Sequence, residues 1–191
     1  TRPDCMPDQL LHYLQELSKQ TYIMVEYGVE STDDDTLKRI NRGHDFATSA
    51  DAIRRTAAAG LPVGAHIILG LPGEKRDTLA AQARLLSSLP ITTLKLHQLQ
   101  IIRGTRMAEE YLAHPEEFHL FELDEYIETA IGYLENLRPD IIVERFSSQS
   151  PKELLLAPDW GIKNHELADK IKRRMKELDT WQGRHAKTTI Q

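Results

Sequence analysis

Val63-Gly64-Ala65-His66-Ile67-Ile68-Leu69-Gly70-Leu71-Pro72-Gly73-Glu74 is the stretch that decides how the rest of the chain is read. Pro62 opens it. The apolar run from Val63 to Leu69 is short for a helix and suits a buried strand, and the Gly-Leu-Pro-Gly turn breaks it sharply. Residues from about Lys75 to Ser88 then read as helix, closed by Pro90. A buried strand, a glycine turn and a helix make a βα unit, in which the helix carries the chain back so that the next strand runs parallel.

Working outward toward the start, a helix ends near Gly60, preceded by the loop Asn41-Arg42-Gly43-His44-Asp45. Before it a short helix runs through Leu37 to about Ile40. Thr32-Asp33-Asp34-Asp35 supplies the acceptors and negative charge that a helix start favours. Tyr22 to Tyr27 reads as a strand that Gly28 ends. Residues 7–19 read as a helix with Pro7 at its first position and a stripe of Leu10, Leu11, Leu14 and Leu17. In the other direction come a strand from Thr93 to Ile102, a turn at Gly104, helices at about Thr105–Ala113 and Leu123–Leu137, and a strand at Ile141–Arg145. Ser147 to Ile162 is irregular, and a charged helix spans about Asn164 to Leu178. The alternation predicts an α/β fold with about four parallel strands and a helical tail. A complete eightfold barrel takes about 250 residues, so the reading is a partial (β/α) barrel or open sheet. The core is expected over 1–146 and a separate C-terminal tail over 147–191.

Composition bounds the function. The 191 residues suffice for one sizeable core, and the formal net charge of −5 argues against nucleic-acid binding driven by overall charge. No apolar run is long enough to cross a bilayer, so no membrane partner is expected. A lone cysteine, Cys5, makes an internal disulfide impossible, and a reduced, cytoplasmic setting is the expectation. The chain opens at Thr1 and reads as a piece of something longer.

Parallel strands are covered on both faces and are usually almost wholly apolar. Here Glu26, His66, Lys95 and His97 interrupt them. Side chains alternate along a strand, which puts Tyr22, Met24 and Glu26 on one face, Gly64, His66, Ile68 and Gly70 on one face, and Lys95, His97, Leu99 and Ile101 on one face. Gln98 and Gln100 share the opposite face. If the polar rows point the same way, a carboxylate, an imidazole and further polar groups converge where α/β sheets bind ligands. Each feature also has an ordinary reading. A strand histidine is often a satisfied structural residue, Lys95 can be an ion-pair partner for Glu26, and Gly43 with Arg42 can be a helix C-terminus. The Gly70–Glu74 turn offers glycines that let backbone approach a ligand and expose N–H groups.

Three phrases occur in order: Val25-Glu26-Tyr27-Gly28-Val29-Glu30-Ser31, Leu37-Lys38-Arg39-Ile40-Asn41-Arg42-Gly43-His44, and His66-Ile67-Ile68-Leu69-Gly70-Leu71-Pro72-Gly73-Glu74. Together they resemble the later core of radical S-adenosylmethionine (SAM) proteins. The branch they resemble is the bacterial Fe–S oxidoreductase group related to coproporphyrinogen oxidase-like and Elp-type radical SAM proteins. Thr1-Arg2-Pro3-Asp4-Cys5, Leu94-Lys95-Leu96-His97 with Gly104-Thr105, and Ala157-Pro158-Asp159-Trp160 fit the same resemblance. It implies a partial β/α barrel that binds SAM and a 4Fe–4S cluster, takes an electron from a donor, and abstracts hydrogen from an unknown substrate. It further implies that Glu26 and Glu30 lie around the SAM ribose, that Arg42 pairs with the SAM carboxylate, and that His66 contacts the ribose. Gly70 and Gly73 would then lie near adenine and methionine, and His97 with Lys95 would face adenosine or substrate.

One departure bears on activity. The resemblance calls for three cluster cysteines, and this chain has only Cys5, so the cluster ligands are expected outside it and the chain alone is expected to be inactive. No catalytic residue is picked out. The basic run Lys170-Ile171-Lys172-Arg173-Arg174-Met175-Lys176 ordinarily means a solvated helix face; contact with tRNA is the alternative, because some radical SAM proteins modify tRNA. Trp160 and Trp181 read as packing anchors. Two other function classes stand beside the oxidoreductase: a β/α enzyme that binds a phosphate ligand at the glycine turn, and a non-enzymatic interaction domain using its basic last helix. A sheet cut mid-barrel exposes an edge, so a homodimer across that edge, or a swap of Thr1–Gln20, is expected.

Overall fold

A computed structural model describes residues 1–186. In chain order the elements are α1 (Asp8–Ser18), β1 (Val25–Glu30), α2 (Asp34–Arg39), α3 (Phe46–Ala58), β2 (Val63–Leu69), α4 (Leu79–Ser87), β3 (Thr93–Gln98), β4 (Ile101–Ile102), α5 (Arg106–Ala113), α6 (Leu123–Glu135), β5 (Ile142–Arg145), β6 (Leu155–Ala157) and α7 (Asn164–Glu177). Short 3-10 turns sit at Pro3–Cys5, Arg76–Thr78 and Pro115–Glu117. The main sheet has four parallel strands in the order β1-β2-β3-β5, with register Val25↔Val63 and Gly64↔Thr93. Consecutive strands are neighbours, as the βα pattern of the sequence predicts.

Helix boundaries follow local chemistry. Asp33 caps α2 by accepting from the Thr36 backbone N–H at 2.8 Å, and Asp45 caps α3 by accepting from Thr48 N–H at 2.8 Å. Between them the chain reverses at Asn41 (φ 54°) and Gly43 (φ 83°). Thr105 caps α5 through Ala108 N–H at 3.1 Å.

Alternation along the strands separates two faces. Val25, Tyr27 and Val29 of β1, Ala65, Ile67 and Leu69 of β2, and Leu94 and Leu96 of β3 are buried in the main core. They pack there with Ala52, Ile53, Ala83, Leu86, Ala130 and Leu134 from the crossover helices. Tyr27 tolerates this burial because its hydroxyl is hydrogen-bonded to Thr56 Oγ1 at 2.7 Å; Tyr126 donates to Phe146 O at 2.6 Å. The remaining positions, Glu26, Gly28, Glu30, His66, Ile68, Lys95 and His97, form a second, half-buried face. A smaller apolar cluster of Leu71, Leu99, Ile101, Ala108 and Phe118, with Ile40, Ile68 and Leu156 packed against it, closes over the C-terminal ends of the strands.

Several expectations change. The first strand runs from Val25 to Glu30 rather than from Tyr22 to Tyr27; Tyr22 is 75% exposed, Met24 lies outside the strand, and Gly28 sits inside it. The reason is pairing: β1 has a partner only from Val25 onward. Pro7 is the N-cap of α1 rather than its first residue. The strand expected over Thr93–Ile102 is broken at Leu99-Gln100, so Leu99 and Ile101 do not continue the Lys95–His97 row. Ile101 and Ile102 pair instead with β6 in an antiparallel ribbon inside the stretch read as irregular. The segment after 147 is bound into the core: Leu167 and Ile171 of α7 are buried there. Trp160 packs at a tilt against Tyr126, ring centroids 5.0 Å apart, and donates from Nε1 to Phe121 O at 3.0 Å. Trp181 is 58% exposed and is no anchor. Thr1 makes a parallel bridge to β1, donating to Glu26 O at 2.6 Å and accepting from Gly28 N at 3.1 Å.

Candidate functional site

The half-buried face gathers side chains from four adjacent strands. Lys95 Nζ on β3 donates to both carboxylate oxygens of Glu26 on β1 at 2.6 Å, reaching across β2 to do so. Gly64 makes that possible. A Cβ there would stand 3.0 Å from Glu26 Cγ and 2.8 Å from Thr93 Oγ1, so any larger residue would displace the Glu26 side chain. His66 Nε2 lies 3.1 Å from Glu26 Oε2, and Lys95 also reaches Glu144 Oε2 on β5 at 3.3 Å. The Lys95 side chain is only 12% exposed, so these contacts are poorly screened. The Lys95 hydrogen bond outweighs burial and holds the Glu26 carboxyl below its ordinary range. Burial lowers the His66 imidazole below its ordinary value despite the Glu26 hydrogen bond. His97, 5.7 Å from His66 ring to ring, is pushed down to about 4 by burial, with His66, Arg145 and Lys95 adding to the effect. It is therefore neutral at neutral pH, and its buried Nε2 has no hydrogen-bond partner.

A second group sits at the end of β1. The register with β2 shifts between Gly28 and Glu30, and Glu30 adopts φ 67°, a backbone conformation that disfavours a side chain. Arg42, delivered by the loop after α2, donates from Nη2 to Gly28 O and lies 3.4 Å from Glu30 Oε1. A Cβ on Gly28 would collide with Glu30 Oε1 and Arg42 Nη2, so the glycine is what lets both charged groups lie over the strand. Burial raises the Glu30 carboxyl above its ordinary value, with Arg42 opposing. Arg42 Nε is buried and lacks a partner. Nearby, the His44 side chain is 2% exposed, its Nδ1 lies 3.5 Å from Asp4 Oδ1, and burial lowers its imidazole below the ordinary value.

The glycine turn is arranged differently from the expectation of open N–H groups. Gly70 N–H is taken by the Glu74 carboxylate at 2.8 Å, and a Cβ on Gly70 would meet the Phe121 ring at 2.8 Å. Gly70 (φ 85°) and Gly73 (φ 86°) serve the backbone reversal itself, and Gly73 has open space around its Cα. Glu74 is half-buried and its carboxyl is pushed up to about 7, chiefly by burial. Gln82 Nε2 is 3.4 Å from both Glu74 Oε1 and Ser31 Oγ.

Of the residues singled out from sequence, Glu26, His66, Lys95 and His97 come together on one face. Glu30 and Arg42 pair beside them, and Gly70 and Gly73 shape a neighbouring turn. Sequence reasoning missed Glu144 and Arg145. Their signal was a pair of charged residues closing the last parallel strand. Among the described residues no group of three or more His, Cys, Asp or Glu side chains is placed to hold a metal ion, and Cys5 is exposed and unpaired. Among them, too, no helix is long and apolar enough to cross a membrane.

Comparison with known proteins gives two family matches: "Radical SAM superfamily" over residues 1–86 and "Radical_SAM C-terminal domain" over residues 91–177. The chain is 34% identical over 184 residues to the uncharacterized protein YtqA of Bacillus subtilis (strain 168), covering 96% of this chain and 56% of that protein. It is 24% identical over 181 residues to the tRNA uridine(34) acetyltransferase of Methanocaldococcus infernus, covering 93% of this chain and 32% of that one. Among solved structures, the M. infernus Elp3 with an N-terminal deletion matches with a TM-score of 0.81 at 20% identity, over 95% of this chain and 42% of that chain, a likeness of fold. The chain spans about half the length of several curated relatives it matches, at 56%, 57% and 52%.

Proposed function

The chain belongs to the radical SAM superfamily, and from that premise we propose that its half-buried sheet face receives S-adenosylmethionine in an oxidoreductase that abstracts hydrogen from its substrate. The observation that carries this reading is the convergence of Glu26, His66 and Lys95 from neighbouring parallel strands, beside an Arg42 whose buried Nε has no partner. These residues fit the cofactor. The Glu26 carboxylate, fixed by Lys95 and kept ionised, retains lone pairs for the two ribose hydroxyls. The free Arg42 Nε–H offers a donor to the methionyl carboxylate, and Gly28 is what lets the Arg42 guanidinium lie over the strand. Neutral His66 orients Glu26 and completes the polar lining. When bound, SAM would supply the chemistry of hydrogen-atom abstraction; this chain's residues would bind and orient it and shield it from water.

The cluster itself does not fit the residues present. Cys5 is the only cysteine, against the three thiolates such a cluster needs. We place the cluster ligands and the contact with an electron donor outside these 191 residues, with this chain alone unable to generate a radical. For the substrate, tRNA is the reading favoured by the tRNA uridine(34) acetyltransferase relative and by α7. There Lys172, Arg173 and Lys176 are exposed and without ion pairs among the described residues, a local cationic stripe despite the overall negative charge. The phosphate-binding alternative loses its support where Glu74 occupies Gly70 N–H.

Equilibrium dialysis of labelled SAM against the chain tests the cofactor reading. Saturable binding is expected, weakened about 10-fold or more by Arg42→Gln or Glu26→Gln, the loss expected for one charge-assisted hydrogen bond. Binding indifferent to both substitutions overturns it.

A further inference from the structure

We propose that the end of the same sheet face, between His97 and Arg145, binds an oxyanion of the substrate, a carboxylate or a phosphate group. This deepens the SAM reading above and rests on it for the neighbouring cofactor. The starting point is a β-bulge. Leu94 pairs with Val143 but Lys95 pairs with Arg145, so two residues of β5, Glu144 and Arg145, face one residue of β3. In a regular strand consecutive side chains point to opposite faces; a bulge breaks that alternation and re-aims a side chain. Glu144 uses the bulge to reach Lys95 Nζ at 3.3 Å. Arg145 stands in register with Lys95 and lies close enough to His97 to bear on its imidazole. Glu144 is thus committed to Lys95, while the exposed Arg145 makes no hydrogen bond or ion pair among the described residues.

His97 supplies the second half of the site. It lies two residues beyond Lys95 on the same face, about 6–7 Å further toward the C-terminal ends of the strands. Its Nε2 is buried and has no protein partner, and a buried ring nitrogen left alone is costly until a ligand or a water completes it. Lys95 is neutralised by Glu26 and Glu144, which leaves Arg145 as the unpaired charge beside His97, and a neutral imidazole that carries its proton on Nε2 beside a guanidinium fork is a donor set for an oxyanion. The rim is held in place. Ser148 N–H donates to Gln98 Oε1 at 3.2 Å and Ser150 Oγ donates to Gln100 Oε1 at 2.7 Å, while Asn164 Oδ1 accepts from Phe146 N at 2.8 Å. The segment following Arg145 is therefore pinned to both β3 and α7.

The test follows the imidazole nitrogen resonances of His97 by NMR in the chain, titrated separately with inorganic phosphate and with acetate at constant pH and ionic strength. SAM affinity is measured on the same samples. A saturable shift of His97 is expected with at least one probe. Preference for phosphate points to a phosphate-bearing substrate, and equal or better response to acetate points to a carboxylate. Arg145→Gln weakens the response about 10-fold or more, Arg145→Lys recovers part of it, and His97→Phe weakens the same response read at the Arg145 guanidinium. No saturable shift, or a midpoint unchanged in Arg145→Gln, overturns the proposal. Loss of SAM affinity in Arg145→Gln with oxyanion response intact assigns Arg145 to the cofactor and also overturns it. Oxyanion binding by a chain that does not bind SAM leaves the proposal standing and defeats the cofactor reading instead.

Discussion

Replacing Glu74 with Gln isolates the most strongly displaced carboxyl in the chain. Its value rises from 4.5 to about 7 because burial disfavours the charged form more than the Gly70 N–H and Gln82 contacts favour it. A carboxyl raised on folding contributes stability that is fully present below its unfolded value of 4.5 and is lost as pH rises through about 7. At 1.36 kcal/mol per pH unit the ceiling on that loss is about 3 kcal/mol. Glu74→Gln removes the titration but keeps an oxygen for Gly70 N–H, and with the Gln82 amide turned over its new NH2 donates to Gln82 Oε1, which is buried without a partner. Urea unfolding of both proteins at pH 5 and pH 8 is the assay. His66, His97 and Glu26 titrate in both proteins and cancel in the difference. The variant is expected to match the parent within about 1 kcal/mol at pH 5 and to exceed it by about 1–3 kcal/mol at pH 8. A difference that does not change with pH, or a variant that loses ground at pH 8, refutes the reasoning.

Three further outcomes follow from the packing. Lys95→Met leaves Glu26 and Glu144 without their shared cation and costs about 1–3 kcal/mol in denaturant at pH 8, an effect that shrinks as the medium is acidified and Glu26 is protonated. Gly28→Ala pushes Glu30 and Arg42 aside; circular dichroism should show the fold retained while SAM binding weakens about 10-fold or more. β5 forms the outer strand of the sheet and its Ile142 is 61% exposed, so sedimentation equilibrium should show self-association that Ile142→Lys reduces; a monomer at high concentration removes the edge-dimer reading.

What was legible in the sequence depended on punctuation and on violated expectations. β2 falls at Val63–Leu69 as read, because Pro62 and Gly70 bound it on both sides. Glu26, His66 and Lys95 stood out because ionisable groups on parallel strands need a reason, and the alternation then placed them together. The failures are tertiary. Tyr22 and Met24 carry strand propensity, but no partner strand reaches them. β3 ends at Gln98 because its neighbour turns away at Gly70, and nothing in Leu99-Gln100-Ile101 announces that. β6 is a three-residue partner for β4, too short for any periodic signal. The bulge that turns Glu144 and Arg145 together depends on register with β3, which composition does not encode. The Gly70–Glu74 turn read as one with open N–H groups, and only the folded chain reveals that Glu74 folds back onto Gly70 N–H.

The face bearing Glu26, His66 and Lys95, with Arg42 at its end, is proposed to receive SAM. A crystal structure of the chain with SAM tests it most directly. The ribose hydroxyls should lie within hydrogen-bond distance of the Glu26 carboxylate, with the methionyl carboxylate on Arg42. SAM bound elsewhere, or lying on this face with Glu26 and Arg42 untouched, contradicts it.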